Sequence, residues 1–137
     1  MTTRVAKCSC GQLSATCHGD PSRVVLCSCN ACQRRTGSPY GAGAYYQRTQ
    51  VCTEGASKQY TRHSDAGRWF TTHFCPECGS SVFWYLENAL DQVGVAVGAF
   101  NDPDFPAPLR AVWTETKLAW VTFPDGMPVF PRAAQPR

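Results

Sequence analysis

The alternation of apolar and polar positions along the chain is that of many short strands broken by turns. Gln12 to His18 alternates after a Cys10-Gly11 turn, and Arg23 to Cys27 forms a second run entered through Asp20-Pro21. Tyr40 to Gln47, Val51 to Thr53, Gln59 to Thr61 and Arg68 to Phe74 read as further strands. Turn-rich breaks at Glu54-Gly55 and Ser64-Asp65-Ala66-Gly67 separate them. Ser81 to Leu86 is aromatic and β-branched, the composition of a core strand. Val93 to Val97 alternates Val with Gly and Ala, which predicts a strand packed closely against another layer.

One segment has a helical signature. Asn30 to Thr36 follows Cys29, with Asn30 placed as an N-cap and Gly37 as a left-handed stop. Asn101 to Pro108 carries three prolines and no period, which predicts an ordered loop. Ala111 to Trp113 and Leu118 to Phe123 are read as final strands. The tail from Pro124 has few anchors beyond Val129 and Phe130, and its end is expected to be loose. The 137 residues suit one domain over 1–137, with a core from about 5 to 123 and a tail over 124–137. Gly and Pro together contribute 21 residues, which favours short strands over long helices.

Composition changes this picture mainly through cysteine. Seven of the nine cysteines fall into three groups: Cys8 with Cys10, Cys27 with Cys29 and Cys32, and Cys75 with Cys78. A structural zinc takes four ligands in a closed tetrahedron, whereas a catalytic zinc keeps three and leaves a fourth position for water or substrate. Two pairs suit the first kind of site and a lone triplet the second. Cys75-Pro76-Glu77-Cys78-Gly79 is a knuckle, in which the turn frees backbone N–H groups to point at sulfur. Cys8-Ser9-Cys10-Gly11 is a shorter version of the same device. Spacing leaves the pairing open, since two triplet sulfurs could join Cys75 and Cys78 and orphan the rest.

The triplet has two further readings. It could be closed by Cys17, His18, Cys52, His63 or His73, or it could hold an iron–sulfur cluster. Cys17 and Cys52 lie in strands without cysteine neighbours, where a small buried hydrophobe is expected. Cys32 falls in the first helical turn, where backbone N–H groups favour a thiolate. Arg34, Arg35 and Lys7 have the charge to bind carboxylates of an acidic ligand near the metal, or to be solvated surface charges. Tyr45, Tyr46 and Phe100 are candidates for a pocket wall or for core packing.

The formal charge of +3 counts every thiol as neutral; seven metal-bound thiolates and two zinc ions would bring it to about zero. No basic run or tail is present, so no nucleic-acid partner is expected. The N-terminal segment lacks the apolar core of a signal peptide, and no stretch approaches the roughly 18 apolar residues of a membrane span. The odd count of nine cysteines argues against a disulfide framework, and a reducing cytoplasm is the simplest home for these thiols.

With these groups in view, the chain resembles the glutathione-dependent formaldehyde-activating family, which also contains centromere protein V-type proteins. The resemblance covers roughly residues 5 to 123. It is carried by Cys8-Ser9-Cys10-Gly11, by Cys27-Ser28-Cys29-Asn30-Ala31-Cys32-Gln33-Arg34-Arg35-Thr36-Gly37-Ser38, and by Phe74-Cys75-Pro76-Glu77-Cys78-Gly79-Ser80-Ser81-Val82-Phe83-Trp84. It implies a mainly β chain, a β-tent of short antiparallel sheets organised around zinc, with one short helix after the triplet. It further implies a structural zinc on Cys8, Cys10, Cys75 and Cys78 and a catalytic zinc on Cys27, Cys29 and Cys32.

The implied activity is that of a carbon–sulfur lyase, S-hydroxymethylglutathione synthase-like, with a small thiol such as glutathione and a small aldehyde such as formaldehyde as partners. The family usually has His where this chain has Ser28, and often His where it has Ala111. Proton transfer assigned to either position in the family would be lost here. Two rival readings are a non-catalytic interaction module with two closed zinc sites and a zinc or thiol buffer.

Overall fold

The computed structural model describes residues 1–64 and 67–134. The two central residues of the turn expected over Ser64 to Gly67, and the chain end from 135, lie outside the described residues. The strands are β1 (Thr3–Lys7), β2 (Ser14–His18), β3 (Arg23–Cys27), β4 (Gly41–Gln47), β5 (Val51–Glu54), β6 (Lys58–His63), β7 (Trp69–Phe74), β8 (Ser81–Leu86), β9 (Gln92–Ala96) and β10 (Arg110–Val112). Among the described residues the single α-helix, α1, is Asn30–Thr36. The fold is mainly β, built of short antiparallel sheets, as expected.

The chain divides into two compact units. The first comprises Met1–Ser22 and Ala44–Phe105. It contains a three-stranded antiparallel sheet in the order β1-β2-β5. Ala6 and Ala15 face each other across β1 and β2, and both are fully buried. Two residues this small let an overlying layer come close to the backbone. Cys17 is buried on the same sheet, and burial, its largest influence, pushes its thiol up to about 12, so it packs as a small hydrophobe. Cys52 departs from expectation. It sits exposed on β5, whose pattern is open to solvent beyond Val51.

The first unit also holds the antiparallel run β9-β8-β7-β6. Val82, Phe83 and Trp84 are consecutive and all buried, so β8 is covered on both faces. Trp84 stacks on Phe70 at 5.9 Å, meets Tyr45 edge-on at 6.3 Å and donates its indole N–H to Tyr45 Oη at 3.2 Å. The indole spans Gly94 of β9, the residue paired with Trp84 in register. This is the close approach that the Val/Gly/Ala alternation predicts. Tyr46 is fully buried and Phe100 stacks on Phe105 at 4.6 Å, so the aromatic residues offered as a pocket wall serve the core.

The second unit comprises Arg23–Gly43 and Pro106–Arg137. Val24 and Leu26 alternate inward from β3, and β10 pairs beside it with Val112 opposite Cys27. This pair is parallel, in contrast to the antiparallel pairs of the first unit, and its two strands lie far apart in the chain with no hairpin between them. The tail is better anchored than its composition suggests. Ala111 accepts from Phe130 N–H at 2.9 Å and donates to Pro128 O, and Trp113 donates to Arg132 O at 3.0 Å.

Two elements differ from expectation in kind. Strand β1 is not apparent in the alternation, because only Ala6 of Thr3–Lys7 is buried. Leu118 to Phe123 forms no strand: Val121 N–H closes a turn on Leu118 O, and the Lys117 amine caps the Val121 carbonyl at 3.0 Å. Trp120 is consequently 71% exposed. Among the described residues no helix is long and apolar enough to cross a membrane.

A Cβ on Gly94 would fall onto the Trp84 indole, a ring already fixed by Phe70 and Tyr45. Gly94→Ala should therefore destabilise the fold by roughly 1–3 kcal/mol, the cost of overpacking a filled core. Chemical denaturation measures this, and an unchanged midpoint would contradict it.

Candidate metal centres

Each of the first two cysteine knuckles is shaped by a glycine. In the first, Gly11 takes φ 84 and donates its N–H to Cys8 O at 3.0 Å; in the second, Gly79 takes φ 79 and donates to Cys75 O at 2.8 Å. A left-handed residue turns the chain back in each case, at little cost for glycine. Backbone N–H groups then point at sulfur: Leu13 N–H at Cys8 Sγ, 3.2 Å, and Glu77 N–H at Cys75 Sγ, 3.4 Å. The knuckles lie at the β1–β2 connection and just beyond β7.

The two knuckles converge. The Cys8, Cys10, Cys75 and Cys78 sulfurs all lie within 4.8 Å of one another. Cys8 to Cys10 is 3.6 Å and Cys10 to Cys75 is 3.7 Å. A tetrahedron with zinc–sulfur bonds near 2.3 Å requires roughly 3.8 Å between sulfurs, so the donor set fits a metal ion of that kind. The pairing that spacing left open is thus Cys8 and Cys10 with Cys75 and Cys78.

Polar side chains brace this group from outside. Gln12 donates one amide hydrogen to Cys75 Sγ at 2.9 Å and the other to Ala56 O at 2.7 Å, while its carbonyl accepts from Ala56 N–H at 2.9 Å. Ser80 Oγ accepts from Ser9 N–H at 3.1 Å and stands 3.5 Å from Cys78 Sγ. The bonds from Ser80 hold the Cys78 thiol down at about 5, so its thiolate is favoured even without a cation. For Cys75, burial opposes ionisation, but the bond from Gln12 and the bonds from the backbone N–H groups of Cys78 and Glu77 outweigh it. Neither Gln12 nor Ser80 stood out in the sequence. The only available signal was a polar residue two places beyond a knuckle.

The triplet is a local construction. Cys27 ends β3, Cys29 precedes α1 and Cys32 lies in its first turn, and the three sulfurs are again within 4.8 Å of one another. Among the described residues this group has no fourth member of the His, Cys, Asp or Glu kind. The N-cap is Cys29 and not Asn30: the Cys29 sulfur itself accepts from Cys32 N–H at 3.3 Å, which shifts the cap one residue earlier. Gly37 ends the helix at φ 62, as expected. Cys29 and Cys32, then burial, raise the Cys27 thiol well above its ordinary range. Cys32 is eased by Cys27, yet Cys29 and burial leave it raised. Three thiolates this close need a cation among them.

Ser28 is locked in place between two of these sulfurs. Its N–H donates to Val112 O at 3.1 Å, and its carbonyl accepts from Gln33 Nε2 at 2.8 Å and Thr116 Oγ1 at 2.9 Å. Its hydroxyl is fully buried with no partner, and Ala111 is fully buried as well. Neither position offers a proton to solvent. The adjoining Trp113 is held at φ 57, in the left-handed region that a bulky residue rarely adopts. Arg34 is exposed on α1, Arg35 is half-buried, and Lys7 is exposed beside the first knuckle. His73 stacks on Phe83 at 4.6 Å with Nδ1 3.1 Å from Ser57 Oγ, and His18 Nδ1 lies 3.3 Å from Thr3 Oγ1.

The family profile described as glutathione-dependent formaldehyde-activating enzyme matches residues 3–116. No curated protein matches the chain. The crystal structure of a Rhodobacter sphaeroides protein is similar in fold, with a TM-score of 0.55 at 17% identity, covering 92% of this chain and 98% of that one.

Removing the Gln12 amide should loosen the four-sulfur group without deleting a ligand. Gln12→Ala should lower metal affinity there about 10–100-fold, as loss of an outer-shell partner typically does. Chelator competition measures it, and an affinity equal to wild type would show that the Gln12–Cys75 bond contributes nothing.

Proposed function

The chain belongs to the glutathione-dependent formaldehyde-activating enzyme family, and from that premise we propose that it is a zinc-dependent enzyme of the carbon–sulfur lyase type. In this reading Cys8, Cys10, Cys75 and Cys78 hold a structural zinc, and Cys27, Cys29 and Cys32 hold a catalytic one. A small thiol binds at the triplet and adds to a small aldehyde, with glutathione and formaldehyde the pair that the family suggests. The observation that carries the reading is the difference between the groups: four converged sulfurs in one, three in the other.

A zinc ion at the triplet would lower the pKa of a thiol in its fourth position and keep it as thiolate. The chemistry then needs little from the chain. The thiolate sulfur attacks the aldehyde carbon and a carbon–sulfur bond forms. The carbonyl π pair moves to oxygen, which takes a proton, giving a hemithioacetal with no change of oxidation state. Ser28 and Ala111 leave solvent as the proton source, since one is sealed in and the other is apolar. The three sulfurs are held by the end of β3, the Cys29 cap and the first turn of α1, while Ser28 pins their loop through Val112, Gln33 and Thr116. Arg34, exposed on the same helix, is free to meet a carboxylate of the thiol substrate. Nine cysteines, none of them in a disulfide, suit a reducing compartment such as the cytoplasm.

The two metals should separate by mutation. Cys78→Ser is expected to unfold the protein, because a structural zinc contributes folding energy directly. Cys29→Ser should leave a folded chain that has lost one metal, and identical melting of the two variants would contradict the division. Native mass spectrometry of the reduced protein with and without glutathione tests the function. Two zincs with one bound glutathione are expected. Two zincs and no adduct would argue for a closed site or a different thiol.

A further inference from the structure

The two neighbouring arginines of α1 are not equivalent. Arg35 follows Cys32 by three residues and so shares its helix face, and it is half-buried where Arg34 is exposed. A side chain at Gly41, at the start of β4, would meet Arg35 Nη2 at 2.7 Å and Cys32 Sγ at 3.7 Å. Guanidinium and sulfur therefore border the same small space, and stand no further apart than those two distances combined. Gly41 is buried, and its φ is not in the left-handed region, so its backbone does not call for glycine. The missing side chain is what leaves room for the guanidinium.

Resting on the reading that the triplet carries a zinc with an exchangeable fourth position, we propose that Arg35 is the counter-charge of that site, positioned by Gly41 against the Cys32 sulfur. Three thiolates on a divalent ion carry one net negative charge, and a thiolate in the fourth position makes it two. A fixed cation beside one sulfur offsets that excess and favours the ionised form of an incoming thiol. Arg35 is thereby a positioning residue acting through Cys32 and not a grip for a substrate carboxylate. The substrate class that follows is any small thiol able to bind as thiolate, whether or not it carries carboxylates.

The cobalt-substituted protein tests this through its sulfur-to-cobalt charge-transfer band, with the four-sulfur site contributing a constant background. Wild type, Arg35→Ala, Arg35→Lys, Gly41→Ala and Arg34→Ala are compared at rest and during titration with glutathione and with 2-mercaptoethanol, which has no carboxylate. Arg35→Ala should shift the band to lower energy and weaken both thiols by the same factor, about tenfold, the change equivalent to one unit of thiol pKa. Arg35→Lys should recover most of this loss. Gly41→Ala should reproduce part of it by displacing the guanidinium while keeping its charge, and Arg34→Ala should leave the band in place. An unmoved band in Arg35→Ala, or a loss confined to glutathione, would overturn the proposal. A shifted band in a protein that binds neither thiol would uphold the counter-charge and refute the exchangeable fourth position.

Discussion

Four sulfurs drawn from positions 8, 10, 75 and 78 stand within 4.8 Å of one another, and the chain between Cys10 and Cys75 spans 65 positions. Closing a loop of that length costs entropy that a few knuckle hydrogen bonds do not repay. Ionising the sulfurs without a cation adds repulsion. A divalent ion bound there would remove the repulsion and help hold the loop closed, which would make its binding part of folding. The glycines of the knuckles, the N–H groups aimed at sulfur and the Gln12 amide are consequences of that constraint: each orients a sulfur or spreads its charge.

The triplet stands under a different constraint. Its sulfurs come from six consecutive positions, so no long loop depends on it. The strand end, the Cys29 cap and one helical turn suffice to aim all three, and Ser28 fastens the loop through its backbone alone. A site built this locally can expose a coordination position without endangering the rest of the chain. The left-handed Trp113 and the snug Gly41 border it, and such strained or crowded backbone is expected where a geometry is held for use.

Elements whose local signals agree were legible from sequence. Asn30–Thr36 and Ser81–Leu86 have the expected bounds, because a stop glycine marks one and an unbroken aromatic and β-branched run marks the other. Strand β1 was hidden because a single buried alanine leaves no alternation to see. Leu118 to Phe123 has strand-like composition, but a turn and a lysine cap take up hydrogen bonds that a ladder would need. Cys52 looked like Cys17, and only the sheet position, edge against centre, separates them. The grouping of the seven cysteines into sets able to hold a metal was legible, whereas Gln12, Ser80 and the different facings of Arg34 and Arg35 depend on long-range or rotational detail that spacing does not encode.

The central claim is that one group of sulfurs closes a metal site and the other leaves it open. X-ray absorption at the zinc edge of the protein reconstituted with zinc at both groups, without added thiol, measures this directly. With four sulfurs at one site and three at the other, the account predicts an average of three and a half sulfurs per zinc at about 2.3 Å, the remainder being a light oxygen scatterer near 2.0 Å. An average of four sulfurs per zinc, or an imidazole signature in the outer shells, would contradict it.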